Sequence, residues 1–308
     1  MTSQFERITV SLKTLVDLAA PATGLTFHHR AIRAKQSGGF VSRFKGRGME
    51  FDETRLYQAG DDIRSIDWRV TARTGKTHTK IFREERERPV FISVDCRAAM
   101  HFATRGVFKS VLATKLAALV AWTAFHHGDR IGGQLFFDSY CQELKPQNGR
   151  GAVLHFLNAL VKASSSEFAN EGREEMDLDA TFSRLLHHAR AGSLVYVISD
   201  FRGLTANAQH KLTMLARHCE VVLLFIYDEL EQQLPIAGQY RFTDGSNDAI
   251  INMTANARLQ YQQQFLAKQE FLQEFAKQHS IIFQTISTRT VNMQHLLEIF
   301  RDAGKTKR

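Results

Sequence analysis

The chain has 308 residues, 44% of them hydrophobic, and its 40 Lys and Arg against 32 Asp and Glu leave a net charge of +8. That apolar content supports a globular protein with a large core, one domain with an N-terminal extension, and the far-apart Cys96, Cys141 and Cys219 exclude a disulfide framework or a cysteine-rich zinc site and read as buried free thiols. No run approaches the ~18 apolar residues of a membrane span, and Glu6, Lys13 and Asp17 interrupt the place of a signal peptide, so a cytoplasmic protein without membrane insertion is expected.

Leu12, Leu15, Val16 and Ala19 recur at helical spacing, and Pro21 with Gly24 is expected to close that short helix. The next stretch, HHRAIRAKQSGGFVSRFKGRG at residues 28–48, is basic, glycine-containing and irregular. It reads either as a solvated basic face or as an arm that neutralises phosphates. Nucleic acid is therefore the alternative partner, through Arg30, Arg33, Arg43, Lys45 and Arg47, although zinc-finger spacing and an RNA-type stacking pattern are both missing.

GDDIRSIDWRVTARTG, from Gly60 to Gly75, sets Asp61, Asp62, Arg64, Asp67, Arg69 and Arg73 around Ile63, Ile66 and Trp68. It is too charged for an ordinary strand and too apolar for a linker. A structural clasp is preferred here over a binding surface, with bidentate Arg–carboxylate bonds inside the segment and Trp68 as its apolar plug. Residues 1–88 are thus read as helix, basic arm and clasp, and residues 89–308 as an α/β domain.

THTKIF alternates like a half-buried strand, and from Pro89 apolar strands alternate with amphipathic helices. VFISVD, RIGGQLFF, SLVYVIS, VVLLFIY and IIFQTIS read as strands, with a short return at residues 142–144 and an exposed hairpin at 235–252. Helices are expected at 107–126, 152–162, 178–189, 205–218, 255–278 and 291–301, and a Ser-rich acidic loop at 164–175. The predicted fold is α/β, a doubly wound and mostly parallel sheet with helices on both faces.

In such a sheet, ligands sit beyond the carboxyl ends of the strands, where the strand order reverses. VFISVD ends in Asp95 and SLVYVISD in Asp200, which converge if their strands are neighbours, while Asp228 ends a third strand one step further off. Paired histidines (His28–His29, His126–His127, His187–His188) lack the spacing of metal ligands.

The enzyme signatures fail. Gly75-Lys76-Thr77 and Gly304-Lys305-Thr306 resemble the end of a phosphate-binding loop, but Val70 and Ile299 stand where its first glycine belongs. Arg97 replaces the second aspartate of a haloacid-type phosphatase pair, and no G-x-S-x-G elbow exists. A noncatalytic protein without cofactors is expected.

Read together, GRGMEFDETRLYQAGDD, the clasp and THTKIFREERERPVFISVD, followed by HHGDRIGGQLF, SLVYVISDF and IYDELEQQLPIAGQYRFTDG, resemble the bacterial proteins of domain of unknown function 58. These are similar to von Willebrand factor A domains. That resemblance implies a site where magnesium is held by a D-x-S-x-S run, a threonine and a further aspartate. Here the run reads Asp95-Cys96-Arg97-Ala98-Ala99, and Met176 stands where the threonine is expected, leaving only Asp95 and Asp200. A degenerate site without metal is expected, with Arg97 bridging the two carboxylates in place of the cation. The resemblance also implies an adaptor that works with a MoxR-type AAA+ ATPase and other von Willebrand factor A-like proteins; surface docking is expected at the carboxyl edge of the sheet, around Asp95, Arg97 and Asp200.

Overall fold

The computed structural model describes residues 5–25, 49–84, 88–165, 177–235, 238–243, 248–289 and 293–302. The basic arm from His28 to Gly48, with its five named cations, and Met176 lie outside them. The chain divides into two compact units, one formed by 1–32 with 88–308 and the other by 33–87.

The larger unit opens with three short helices, α1 (Phe5–Ile8), α2 (Leu12–Val16) and α3 (Ala19–Ala22). Pro21 lies inside α3 rather than ending the helical region, because a proline in a first helical turn gives up no hydrogen bond. The smaller unit holds β1 (Met49–Leu56), α4 (Trp68–Thr74) and β2 (His78–Glu84).

The larger unit resumes with β3 (Pro89–Asp95), α5 (Lys109–His126), β4 (Arg130–Phe136), β5 (Cys141–Gln147), α6 (Arg150–Ser165), α7 (Leu178–His188) and β6 (Leu194–Ser199). After these come α8 (Ala206–His218), β7 (Glu220–Tyr227), α9 (Glu229–Gln232), the hairpin of β8 (Gly238–Thr243) and β9 (Asp248–Met253), α10 (Ala255–Gln278), β10 (Ile282–Ser287) and α11 (Met293–Asp302). No helix is long and apolar enough to cross a membrane among the described residues.

Six strands form one sheet in the order β10-β7-β6-β3-β4-β5, all parallel except β5 at the edge. This is the doubly wound α/β fold that the alternating strands and helices predict. Its central strands are continuous apolar runs because both faces are covered. Along β6, Leu194, Tyr196 and Ile198 enter one core with α5 and α6, while Val195 and Val197 enter the other with α7, α8 and α10. The short return expected at 142–144 is the seven-residue β5, and Pro146 is tolerated there because an edge strand needs no donor on its outer side. Gly132 lets it close in, since a Cβ there would meet the Pro146 ring at 2.8 Å.

Helix α5 is buried on nearly every side, the mark of a central rather than a surface helix. The N-terminal helices pack on it: buried Trp122 donates from Nε1 to the Leu15 carbonyl over 2.9 Å. His126 and His127 place their Nε2 atoms 3.0 Å and 3.1 Å from the carbonyls of Ala19 and Leu25. Just beyond, Asp129 Oδ1 accepts from the Arg88 backbone at 2.9 Å. One turn between α5 and β4 therefore anchors the chain both before it leaves for the smaller unit and where it returns.

In the smaller unit β1 and β2 pair antiparallel, with a register shift between Phe51 and Glu53. The clasp between them differs from the expected network. Asp62 caps the turn Ile63–Ser65 by accepting from Arg64 N at 3.0 Å, and Asp67 caps α4 by accepting from Arg69 N and Val70 N at 3.1 and 3.2 Å. Asp61 accepts from Gln58 N at 2.9 Å and pairs with Arg55 at 2.7 Å. That backbone bond and then the guanidinium hold its carboxyl below the usual range. Arg64, Arg69 and Arg73 form no ion pair among the described residues. Trp68 is 68% exposed and plugs nothing. A short aspartate reaches the N–H groups two and three residues ahead without ordering a long arginine, so caps win over local salt bridges.

Candidate functional site

Strands β3 and β6 are neighbours, in register through Val94 and Ile198, and the chain order reverses between them. Asp95 and Asp200, each just past the last register pair, therefore meet beyond the carboxyl ends, and they are 0% and 2% exposed. Arg97 lies between them. Its Nε donates to Asp95 Oδ1 at 3.0 Å and its Nη2 to Asp95 Oδ2 at 2.7 Å, a bidentate pair, and Nη2 also reaches Asp200 Oδ1 at 3.5 Å. Nη1 donates to the Arg202 carbonyl at 3.1 Å, and the guanidinium lies over the Phe136 ring.

A second cation enters from below. Lys109, at the start of α5 and fully buried, donates from Nζ to Asp200 Oδ2 at 2.9 Å and to Glu231 Oε1 at 2.7 Å. Ser199 donates to Asp95 Oδ2 at 2.6 Å and in turn accepts from Phe201 N at 2.9 Å. Phe201 takes the unusual φ of +49°, and the sharp turn brings Arg202 N to 3.0 Å from Asp200 Oδ1. Lys268 of α10 caps the Asp200 carbonyl at 2.8 Å.

Burial sets the electrostatics. It pushes the Asp95 carboxyl above its ordinary range, against the pull of Arg97 and Ser199. Burial would raise Asp200 too, but the Lys109 charge, the Arg202 backbone bond and Arg97 outweigh it and hold this carboxyl below its usual value. Lys268 is lowered, chiefly by its own desolvation.

Asp228 ends β7, one strand beyond β6. It accepts four bonds: from Thr104 N at 3.0 Å, Thr104 Oγ1 at 2.6 Å, Leu230 N at 3.0 Å and Thr288 Oγ1 at 2.6 Å. It thereby ties the loop after β3 to the ends of β7 and β10. Its own N–H donates to Glu231 Oε2 at 3.0 Å, so the capping box of α9 links Asp228, through Glu231, to Lys109.

The family model described as "Protein of unknown function DUF58" matches residues 53–271, from β1 through most of α10. The chain belongs to the DUF58 family. The match takes in both units and every residue of the network around Arg97. An uncharacterized protein of Mycobacterium tuberculosis and one of Mycobacterium bovis are each 27% identical to this DUF58 chain over 222 residues, 72% of the chain and 68% of the relative. Among solved structures, the conserved hypothetical protein BatB from Bacteroides thetaiotaomicron is similar at 14% identity and a TM-score of 0.44, over 71% of this chain and 100% of that one. A von Willebrand factor type A protein from Catenulispora acidiphila is similar at 11% identity and a TM-score of 0.38, over 74% and 44%.

The donor set of the DUF58 chain does not fit the magnesium that the von Willebrand factor A resemblance implies. Asp95 is clamped by a guanidinium and Asp200 by an ammonium, and Ala99 has no side-chain oxygen. A divalent cation among them would face two fixed positive charges. No group of three or more His, Cys, Asp or Glu is poised to hold a metal among the described residues.

Asp95, Arg97 and Asp200 were legible in the DUF58 sequence. Lys109, Ser199, Glu231 and Lys268 were not, because single polar residues beside apolar runs give no spacing signal. Only the D-x-x-E of Asp228 and Glu231 carried one, as a capping box. The thiols of Cys141 and Cys219 are pushed up to about 11 by burial, and Cys96 is raised by burial as well. All three cysteines are free.

Proposed function

We propose that this DUF58 protein is a noncatalytic adaptor that works with a MoxR-type AAA+ ATPase in assembling or activating a client complex. The observation that carries this reading is the occupation of the switch-point crevice by Arg97 and Lys109, whose charges are spent on Asp95, Asp200 and Glu231. A crevice filled by internal ion pairs is built to hold a shape, and a rigid edge suits docking better than chemistry. Asp95 and Asp200 are too buried to touch a partner, so they act by fixing Arg97 and the loop that bears Arg202. Arg202, with a side chain 63% exposed and 3.2 Å from Glu231, is the group at the rim that a partner would meet.

The test is ATP turnover of a MoxR-type AAA+ ATPase from the same host, with and without the full chain, and with an Arg202→Glu variant. The reading expects altered turnover that the variant loses. Unchanged turnover together with no complex on size-exclusion chromatography removes it.

A further inference from the structure

The smaller unit carries a surface that the adaptor reading does not use. Five large apolar side chains are more than half exposed among the described residues, and three of them fall within residues 56–68: Leu56 at 52%, Ile63 at 66% and Trp68 at 68%. Exposed Arg64, Arg69, Arg73 and Lys76 lie in and beside the same turn and helix. Trp68 and Ala72, and Arg69 and Arg73, stand four apart on α4 and so form adjacent rows on one exposed face.

The segment's own carboxylates do not neutralise this face. Asp62 and Asp67 are turned onto backbone N–H groups, and Asp61 onto Gln58 N and Arg55. Arg64, Arg69, Arg73 and Lys76 make no ion pair among the described residues. The aspartates shape the element, and the indole and guanidiniums are left outward.

We infer that the Trp68 face of α4 docks an acidic surface of another protein, with Trp68 and Ile63 entering an apolar recess and Arg64, Arg69 and Arg73 pairing with carboxylates around it. Tryptophan and arginine are the residues that most often carry interface energy. Unneutralised cations around an apolar centre select a partner of opposite charge. Single-stranded nucleic acid is the poorer fit. Bases stack on planar rings and phosphates take the cations, which leaves aliphatic Ile63 unused. This inference stands on the smaller unit alone and survives if docking at the Arg97 crevice fails.

The test replaces Trp68 of the full chain with the photoreactive residue benzoylphenylalanine, expressed in the protein's own host. A second chain carries the same probe at exposed Phe271 on α10 as control. Cells are irradiated, and adducts are resolved with and without nuclease and mapped by mass spectrometry. The expected result is a nuclease-resistant adduct to a different protein, joined at a peptide rich in Asp and Glu. R69E/R73E in the probe chain should cut its yield roughly tenfold, the effect of losing a hot-spot pair, while the equal charge change K145E/R217E leaves it intact. Any of four results overturns the inference: no adduct above the Phe271 control, an adduct removed by nuclease, an adduct of two copies of this chain, or a yield indifferent to R69E/R73E.

Discussion

Lys109, with no exposed surface, donates from Nζ to Asp200 Oδ2 over 2.9 Å, so a helix start and a strand end 91 residues apart share one buried ion pair. Removing Lys109 leaves the buried Asp200 charge with only the longer contacts to Arg97 at 3.5 Å and Arg202 at 4.0 Å to offset it. Lys109→Met is therefore expected to cost about 3–5 kcal/mol. The double variant K109M/D200N should lose less than the sum of its parts, by about 0.5–3 kcal/mol. Urea unfolding midpoints at constant slope measure both, and strict additivity would mean that the two groups are not coupled.

Magnesium offers a separate check on the crevice. R97S/A99S restores the two hydroxyls of the D-x-S-x-S run, yet Lys109 still holds Asp200 in that variant. No binding heat is expected on titrating magnesium into it. A clear heat would instead show that Arg97 alone excludes the cation.

The four bonds to Asp228 make a prediction about acid. Burial would raise this carboxyl, but the hydroxyls of Thr104 and Thr288 and the two backbone N–H groups hold it below its ordinary value. A carboxyl lowered in the folded state adds stability above its unfolded value, near 3.8, and that stability is lost as pH falls through the folded value. Thr288→Val removes one donor, so it should cost about 1–3 kcal/mol at neutral pH and move acid unfolding to higher pH. Circular dichroism against pH reads the shift, and a midpoint at or below the parent's would contradict it.

Gly106 crosses close under the same knot. It has φ of +86°, and a Cβ there would run into the Thr288 carbonyl. Gly106→Ala is expected to destabilise by more than about 1 kcal/mol, beyond what conformational freedom alone explains. A thermal midpoint equal to the parent's would show that the loop moves aside.

The clasp separates two readings of one segment. Trp68→Ala should change stability by less than about 0.5 kcal/mol, because the indole is mostly in water. Asp67→Ala should cost about 0.5–2 kcal/mol by removing a helix cap. If denaturation shows the reverse ranking, Trp68 is the anchor after all.

What the sequence determined by itself was the sheet and the place of its crevice. Unbroken apolar runs such as VFISVD and SLVYVIS must be covered on both faces, which requires helical crossovers and so a parallel sheet. The aspartates that end them mark the carboxyl edge by position alone. Strand β1 and helix α4 were not legible, since the charged residues of the clasp suit caps and salt bridges equally and carry neither a helical nor a strand period. The tertiary structure decided which polar groups meet. Lys109 and Glu231 are 122 residues apart, and only the packing of α5 beneath the sheet edge sets Lys109 between Glu231 and Asp200. It also decided that the arginines and Trp68 of the clasp face outward, because three short aspartates had already claimed the backbone donors within their reach.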